Sequence, residues 1–284
     1  MRPNLAAFLH TIIRDPQPGV GWLWIDQVCI RQDDVTERNH QVRQMAEIYR
    51  SASEVIVWLG PGTEESSSLP TGAAELQTEL FSWSNPGAKA LIQLLKCEYW
   101  TRTWIIQEFI LANSVVLYWG TAKFSFDDLD TITNIGSEKI RLRHCHSSAL
   151  MPRANQITAL VSRRKIRQTD GFIIKNWKDA LTLSSSSLCQ DPRDRIYALL
   201  GLVDPQIAVS PNYAASPDDI FVDVMVSVVV QLKPTRSDDD DNDWVAFLAT
   251  KALVSRVLGL GNRPLDTLVP SCKDLACDRK STRY

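Results

Sequence analysis

Three short apolar runs, separated by segments with helical periodicity, are the feature that most constrains how this 284-residue chain can fold. The runs occupy residues 21–26, 54–59 and 114–119. Apolar runs of this length, bounded by glycine or proline, are typical of strands that are buried on both faces. Helical spacing of apolar residues recurs in 41–52, 88–96 and 101–112. The first half is therefore predicted to have an α/β fold with a parallel sheet.

The second half of the chain carries mainly helix signals. Asp191 precedes Pro192 and Ser216 precedes Pro217, and each pair places a favoured N-cap residue before a proline in the first turn. We predict an α/β domain over residues 1–122 and a mostly α-helical region over 123–284. Because the strands need both faces covered, this helical region is expected to pack on the core.

Composition and charge exclude several classes of protein. Lys and Arg total 31 and Asp and Glu total 33, so the net charge of -2 gives no reason to expect nucleic-acid binding. No apolar run approaches the roughly 20 residues of a membrane-spanning helix, and no signal peptide is evident. The six cysteines form no CxxC pair and are expected to be reduced thiols. The sequence therefore predicts a cytoplasmic protein without a membrane span.

No metal site and no bound cofactor are predicted. The sequence lacks a phosphate-binding P-loop, a GxSxG motif, an HExxH motif and a GxGxxG motif after a strand. A zinc site is an alternative, but the spacing of its ligands matches no standard pattern. Those ligands would be His144, Cys145, His146, Cys272 and Cys277.

Asp26 is the first candidate for a functional residue. It lies at the carboxyl end of the first predicted strand, where open α/β sheets gather the groups that bind ligands. The structural alternative is that Asp26 caps a loop. Capping is favoured for Asp33 and Asp34, which precede the next helix. The residues alone leave both interpretations of Asp26 open.

Glu108 is the second candidate, because it lies in a helix that is apolar on nearly every side. Trp104 and Glu108 are four residues apart and therefore share one face of that helix. A carboxylate in such surroundings must be paired, hydrogen-bonded or shifted in pKa, and such groups are often functional. The structural alternative is a buried ion pair with Arg102 or Arg43, or hydrogen bonds to a loop backbone.

Together these segments resemble the heterokaryon incompatibility (HET) domain of filamentous fungi. The matching residues are Leu23-Trp-Ile-Asp26, Cys29-Ile30, Gln32-Asp33-Asp34, Glu37-Arg38, Gln41-Val42, Met45, Ile48-Tyr49, Ala52, Val55-Ile-Val-Trp-Leu-Gly60, Tyr99-Trp100, Arg102, Trp104 and Gln107-Glu108. The segments 191–202 and 211–213 resemble the region that commonly follows that domain. The resemblance implies a role in fungal non-self recognition and programmed cell death, through protein partners and self-assembly into a homo-oligomer.

The HET family in turn is distantly similar to TIR domains, which implies a flavodoxin-like or TIR-like core. The spacing from Trp104 to Glu108 is that of the Trp-Cys-x-x-Glu helix in TIR domains. In catalytic TIR domains this glutamate supports cleavage of the nicotinamide–ribose bond of NAD. The resemblance therefore implies an NAD-cleaving enzyme with Glu108 as its catalytic residue and Asp26, Arg102 and Trp104 as ligand contacts. NAD would then be a substrate and not a cofactor.

The sequence departs from the family pattern in three places. No match to the family's opening Ser-Tyr-x-Trp-Gly strand precedes Leu5, Arg31 replaces a usual Asn, and Cys272 stands where a Trp is typical. An N-terminally truncated domain without its first strand would leave unpaired backbone edges. A truncated and inactive fragment is therefore a further alternative.

Overall fold

The computed structural model describes residues 3–14, 21–69, 86–142, 150–171, 173–231 and 240–261. Within these ranges the chain forms a mixed α/β structure that is mostly helical, with a three-stranded sheet. The helices are α1 (Pro3–Arg14), α2 (Asp26–Cys29), α3 (Val35–Ser51), α4 (Pro86–Lys96), α5 (Ile105–Leu111), α6 (Phe126–Leu142), α7 (Leu150–Asp170), α8 (Trp177–Ser184), α9 (Asp194–Tyr197), α10 (Pro217–Gln231) and α11 (Asp240–Val257). The strands are β1 (Val55–Trp58), β2 (Val115–Trp119) and β3 (Ala122–Ser125).

The described residues form two compact units. One comprises residues 1–29 and 47–172, and the other comprises 30–46 and 173–284. The first part of α3 therefore belongs to the second unit and its last turn to the first. The division that we predict at residue 122 stays a prediction.

The sheet belongs to the first unit and has the order β1-β2-β3. β1 and β2 are parallel, whereas β2 and β3 are antiparallel. All five residues of β2 are buried, as expected for the central strand. The turn into β3 needs Gly120, because its φ is +60° and a Cβ there would lie 2.5 Å from the Pro61 carbonyl oxygen.

One face of the sheet packs against helix α1. Phe8 and Ile12 of α1 form a buried cluster with Val116 and Tyr118, and Ile25 packs against it. In the same unit, helices α4, α5 and α6 all contact α7.

The α/β class is confirmed, but two details of the predicted sheet are wrong. The sheet is mixed and not purely parallel, since β3 follows β2 through a tight turn. Residues 21–25 form no regular secondary structure, and Asp26 begins a four-residue helix instead of ending a strand. Ile25 of this apolar run packs against the cluster of α1 and β2, whereas Trp22, Leu23 and Trp24 are exposed. A flavodoxin-like or TIR-like core stays a prediction.

A buried arginine completes the polar bonding of α5 at its carboxyl end. Arg164 of α7 is 1% exposed and donates to the carbonyl oxygens of Phe109 (2.8 Å), Ala112 (2.5 Å) and Asn113 (3.0 Å). Burial lowers the pKa of Arg164 to about 10, and nearby Arg167 acts in the same direction. The guanidinium therefore stays charged at neutral pH and satisfies carbonyl groups that have no partner inside the helix.

An ion-pair network ties together the second unit. Arg193 donates to both carboxylate oxygens of Asp191 at 2.8 Å, and Arg38 donates to Oδ2 of the same residue at 3.0 Å. The Arg38 guanidinium also lies 3.4 Å from the ring centroid of Tyr213, whose carbonyl accepts from Arg193. The backbone N–H of Tyr213 donates to Asn39. The segments around residues 191 and 213 thus have a structural role in this unit.

We predict that Arg164→Met lowers the melting temperature of the protein strongly. The change removes the donor from three carbonyl groups, two of them in buried residues, which costs about 3 kcal/mol of unfolding free energy. Lys165→Met is the matched control, because Lys165 follows in the same helix and its side chain is 49% exposed. Equal melting temperatures for the two variants, measured by circular dichroism, would contradict this role of Arg164.

We predict that Asp191→Asn destabilises the protein in a pH-dependent way. Burial alone would raise the pKa of Asp191, but hydrogen bonds from Arg193 and Arg38 outweigh it and lower that pKa. The stabilisation is therefore complete above the ordinary aspartate pKa of about 4 and is lost as the pH falls through the lowered value. The melting temperatures of wild type and variant should differ at pH 7 and converge in acid.

The exposed Asp33 provides the control for this comparison. Asp33→Asn should leave the melting curve nearly unchanged at every pH. If the melting temperatures of wild type and Asp191→Asn differed as much in acid as at pH 7, this role of Asp191 would be contradicted.

Candidate functional site

Glu108 lies at the centre of a cluster of polar and aromatic side chains in the first unit. Helix α5 begins after Trp104, whose carbonyl oxygen accepts from the backbone N–H groups of Gln107 (3.1 Å) and Glu108 (3.3 Å). Seven-residue α5 is otherwise almost wholly buried. Its single carboxylate is 13% exposed, so the surrounding side chains must satisfy it.

Two donors hold the two oxygens of the Glu108 carboxylate. The Tyr99 hydroxyl donates to Oε2 at 3.2 Å, and the Arg102 guanidinium donates to Oε1 at 3.3 Å. Both donors come from the tight 3-10 turn Glu98–Thr101 and the residue after it. The Arg102 guanidinium also lies 5.8 Å from the ring centroid of Tyr99. The turn and the residue after it thus supply two donors, the Tyr99 hydroxyl and the guanidinium of the half-exposed Arg102.

Tyr49 and Asp26 complete the cluster. Burial raises the pKa of the Tyr49 hydroxyl well above its usual value, and the negative charges of Glu108 and Asp26 raise it further. The pKa of Tyr99 is raised by burial and by Glu108 in the same way. Both phenols therefore stay neutral. The charges of Glu108 and Asp26 raise the pKa of Tyr49, and the charge of Arg102 lowers it.

The Glu108 ion pair also acts on Arg102. Glu108 raises the pKa of Arg102, and burial lowers it by less, so the guanidinium stays charged. Arg43, the other partner that the sequence offered for Glu108, instead donates to the Pro211 carbonyl oxygen at 3.4 Å. The ion pair with Arg102 that the sequence offered as an alternative is present, but only its carboxylate is largely buried, since the Arg102 side chain is 50% exposed.

Asp26 occupies the first turn of α2, where its Oδ1 accepts from the backbone N–H of Gln27 at 2.8 Å. Asp26 therefore binds the backbone of its own turn and also acts electrostatically on Tyr49. Asp34 is confirmed as the cap of α3, because its Oδ1 accepts from the backbone N–H groups of Thr36 and Glu37.

The resemblance implies one site with Glu108, Asp26, Arg102 and Trp104. In the structure Arg102 binds Glu108, and Asp26 acts electrostatically on Arg102. Trp104 shares the helical face of Glu108, but no ring contact joins it to another aromatic residue in the described ranges. Sequence reasoning missed Tyr49 and Tyr99 as members of this cluster. A tyrosine hydroxyl that is buried needs a polar partner, so a tyrosine in the apolar stripe of α3 was the available signal for Tyr49.

The part of the chain that the structure describes holds no group of three or more His, Cys, Asp or Glu residues arranged for a metal ion. The ligands of the zinc alternative, at 144–146, 272 and 277, lie outside the described residues. The described helices include none that is both long and apolar enough to cross a membrane.

Comparisons with known proteins agree with the motif-based resemblance. Residues 1–108 match the family model described as heterokaryon incompatibility protein (HET). A segment of 57 residues is 51% identical to heterokaryon incompatibility protein 6, OR allele, of Neurospora crassa. The match covers 20% of this chain and 8% of that relative, so the chain spans only a small part of the relative's length. No solved structure matches the chain significantly.

We predict that Tyr99 and Glu108 are energetically coupled. Tyr99→Phe and Glu108→Ala each remove the same hydroxyl–carboxylate hydrogen bond, so their effects on unfolding free energy should fall short of additivity by about 1 kcal/mol. The double-mutant cycle is measured by denaturant unfolding of the four proteins.

A second cycle, in which Glu98→Ala replaces Glu108→Ala, is the control, because the Glu98 side chain is exposed. That cycle should be additive. Additivity in both cycles would mean that the Tyr99 hydroxyl does not bind Glu108 in solution.

Proposed function

We propose that this chain acts in fungal non-self recognition and triggers programmed cell death, because residues 1–108 match the heterokaryon incompatibility family model. The observation that carries the proposal is the family match together with the 51% identical segment of the Neurospora protein. That relative is named for heterokaryon incompatibility, and the matched stretch is short. The cell-death step is therefore inferred from the domain and not from the relative as a whole.

Protein partners, including further copies of the chain, are part of this proposal. The surface of the HET segment supports them, because Trp22 is fully exposed and Val28 is 66% exposed. Large apolar side chains at the surface are enriched in protein interfaces. The near balance of acidic and basic residues gives no comparable support to a nucleic-acid partner.

Cleavage of NAD is a second candidate function, and the cluster around Glu108 is the observation that favours it. In this reaction the bond between the ribose C1′ and the nicotinamide nitrogen breaks, and its electron pair leaves with the nicotinamide. Water adds its oxygen to C1′ and releases a proton, which leaves ADP-ribose. The sugar carries positive charge at the transition state, and a carboxylate beside it lowers the barrier.

The geometry suits such a carboxylate. Tyr99 holds Oε2 of Glu108, while Oε1 is held by Arg102, whose side chain is 50% exposed. Arg102 can therefore turn towards the phosphates of a ligand and release Oε1 for the ribose. Asp26 and Tyr49 lie near the same carboxylate and can contact the remaining hydroxyl groups.

We predict that expression of the 284-residue chain in hyphae of a filamentous ascomycete causes cell death, scored by uptake of a vital dye. Glu108→Gln should abolish death if cleavage is the mechanism, because the amide cannot stabilise positive charge as the carboxylate does. Glu98→Gln is the matched control and should kill like wild type, since the exposed Glu98 lies outside the cluster.

The outcomes separate the two candidates. Death caused equally by wild type, Glu98→Gln and Glu108→Gln would contradict cleavage and support an assembly module. Survival of cells that accumulate folded wild-type protein would contradict the cell-death proposal itself.

A further inference from the structure

Strand β1 is an edge of the sheet, and its outer backbone groups have no partner among the described residues. The backbone N–H groups of Val55 and Leu59 donate to carbonyl oxygens in and next to β2, at 2.9 and 2.8 Å. Backbone groups alternate in direction along a strand, so Ile56 and Trp58 point their N–H and C=O groups away from β2. No hydrogen bond joins these groups to another part of the chain that the structure describes. The outer edge of β1 is therefore open.

The two edges of the sheet differ in how they are protected against pairing. Soluble proteins usually place a charged residue, a proline or a bulge on an exposed edge strand. Strand β3, the other edge, carries the exposed Lys123. Strand β1 has the sequence Val-Ile-Val-Trp and carries neither a charge nor a proline. Only β1 is therefore suited to accept a further strand.

The side chains of β1 are already held in place by the first unit. The indole Nε1 of Trp58 donates to Asn4 Oδ1 of α1 at 2.9 Å, and its ring centroid lies 5.7 Å from that of Phe8. Ile56 packs against the same cluster, and Val57 is fully buried. Because the strand is ordered before it meets a partner, pairing costs little conformational entropy.

We propose that two copies of this chain pair through β1, with the two strands antiparallel across a two-fold axis at Val57. This inference rests on the self-association included in the proposed function, and it names the surface that performs it. The two sheets then form one continuous sheet in the order β3-β2-β1-β1-β2-β3.

The spacing of the open groups makes β1 complementary to itself. In this register Ile56 of each copy lies opposite Trp58 of the other copy. Opposite residues at such positions exchange two hydrogen bonds, so the two pairs satisfy every open group of both strands. A two-fold contact of this kind uses the same surface on both copies and closes as a dimer.

The side chains favour the same register. Ile56 and Trp58 form apolar cross-strand pairs, which stabilise a sheet. Glu54, the charged residue next to β1, comes opposite Gly60 of the other copy and not opposite its own counterpart. No like charges therefore meet along the pairing, and a second copy fits the edge without help from another protein.

The first test is the mass of the purified chain, measured by light scattering after size-exclusion chromatography over a range of concentrations. Wild type should approach twice the 32.0 kDa of one chain as the concentration rises. Ile56→Pro removes an N–H that faces the second copy and that β2 does not use, so it should raise the dimer Kd about thirtyfold or more. Ile56→Val is the matched control. It keeps the N–H and a branched side chain and should dimerise like wild type.

The second test is a cross-link that only this register permits. The two Val57 residues face each other as a pair without hydrogen bonds, with Cα atoms about 4.5 Å apart, a distance that a disulfide spans. Oxidation with diamide should therefore convert most of Val57→Cys into a covalent dimer on a non-reducing gel. Leu117→Cys is the matched control, because Leu117 is equally buried but lies in the central strand β2. Wild type in the same oxidant gives the background from the native cysteines.

The outcomes separate this inference from the broader proposal. A folded wild type that stays monomeric would overturn both the β1 pairing and self-association. A dimer whose Kd is unchanged by Ile56→Pro, or a Val57→Cys protein that cross-links no more than Leu117→Cys, would overturn the β1 pairing alone and leave association through another surface. Melting curves are recorded for every protein. If Ile56→Pro does not fold, the comparison of Val57→Cys with Leu117→Cys decides.

Discussion

Helix α5 is short and almost entirely buried, so its polar groups are costly to leave without partners inside the protein. Its last carbonyl groups are satisfied by Arg164, and its single carboxylate is satisfied by Tyr99 and Arg102. An uncompensated carboxylate or carbonyl at these positions would cost several kcal/mol, which is comparable to the net stability of a domain. The surroundings of α5 are therefore arranged around its polar groups as much as around its apolar side chains.

The same requirement produces the candidate site. Because Glu108 must be held, the turn before α5 presents Tyr99 and Arg102 to it, and the end of α3 adds Tyr49. Trp24 and Asp26 approach Tyr49 from the segment that Ile25 anchors to the core. A half-exposed guanidinium and the hydroxyl of a buried tyrosine thus bind one carboxylate, and a second neutral phenol lies within electrostatic range of it.

How far the sequence predicts this structure depends on whether the signal is local. Strands β1 and β2 follow from continuous apolar runs, and the cap of α10 follows from Ser216 and Asp219, whose side chains bond each other's backbone N–H groups. The run 21–26 has the same composition as a buried strand, yet three of its side chains are exposed, because pairing with a neighbour decides strand formation. The ion pair between Arg102 and Glu108 could be predicted, because the two residues are close in the sequence. The contact between Trp24 and Tyr49 could not, because it arises only where distant segments meet.

The most direct test of this account is nicotinamide release from NAD by the purified chain, with Glu108→Gln and Glu98→Gln beside wild type and a melting curve for each protein. The account predicts release by wild type and by Glu98→Gln, and at least about a hundredfold less by Glu108→Gln, since loss of one charge-stabilising group typically costs that much. Release that is unaffected by Glu108→Gln, or no release from a wild-type protein with a cooperative melt, would contradict it.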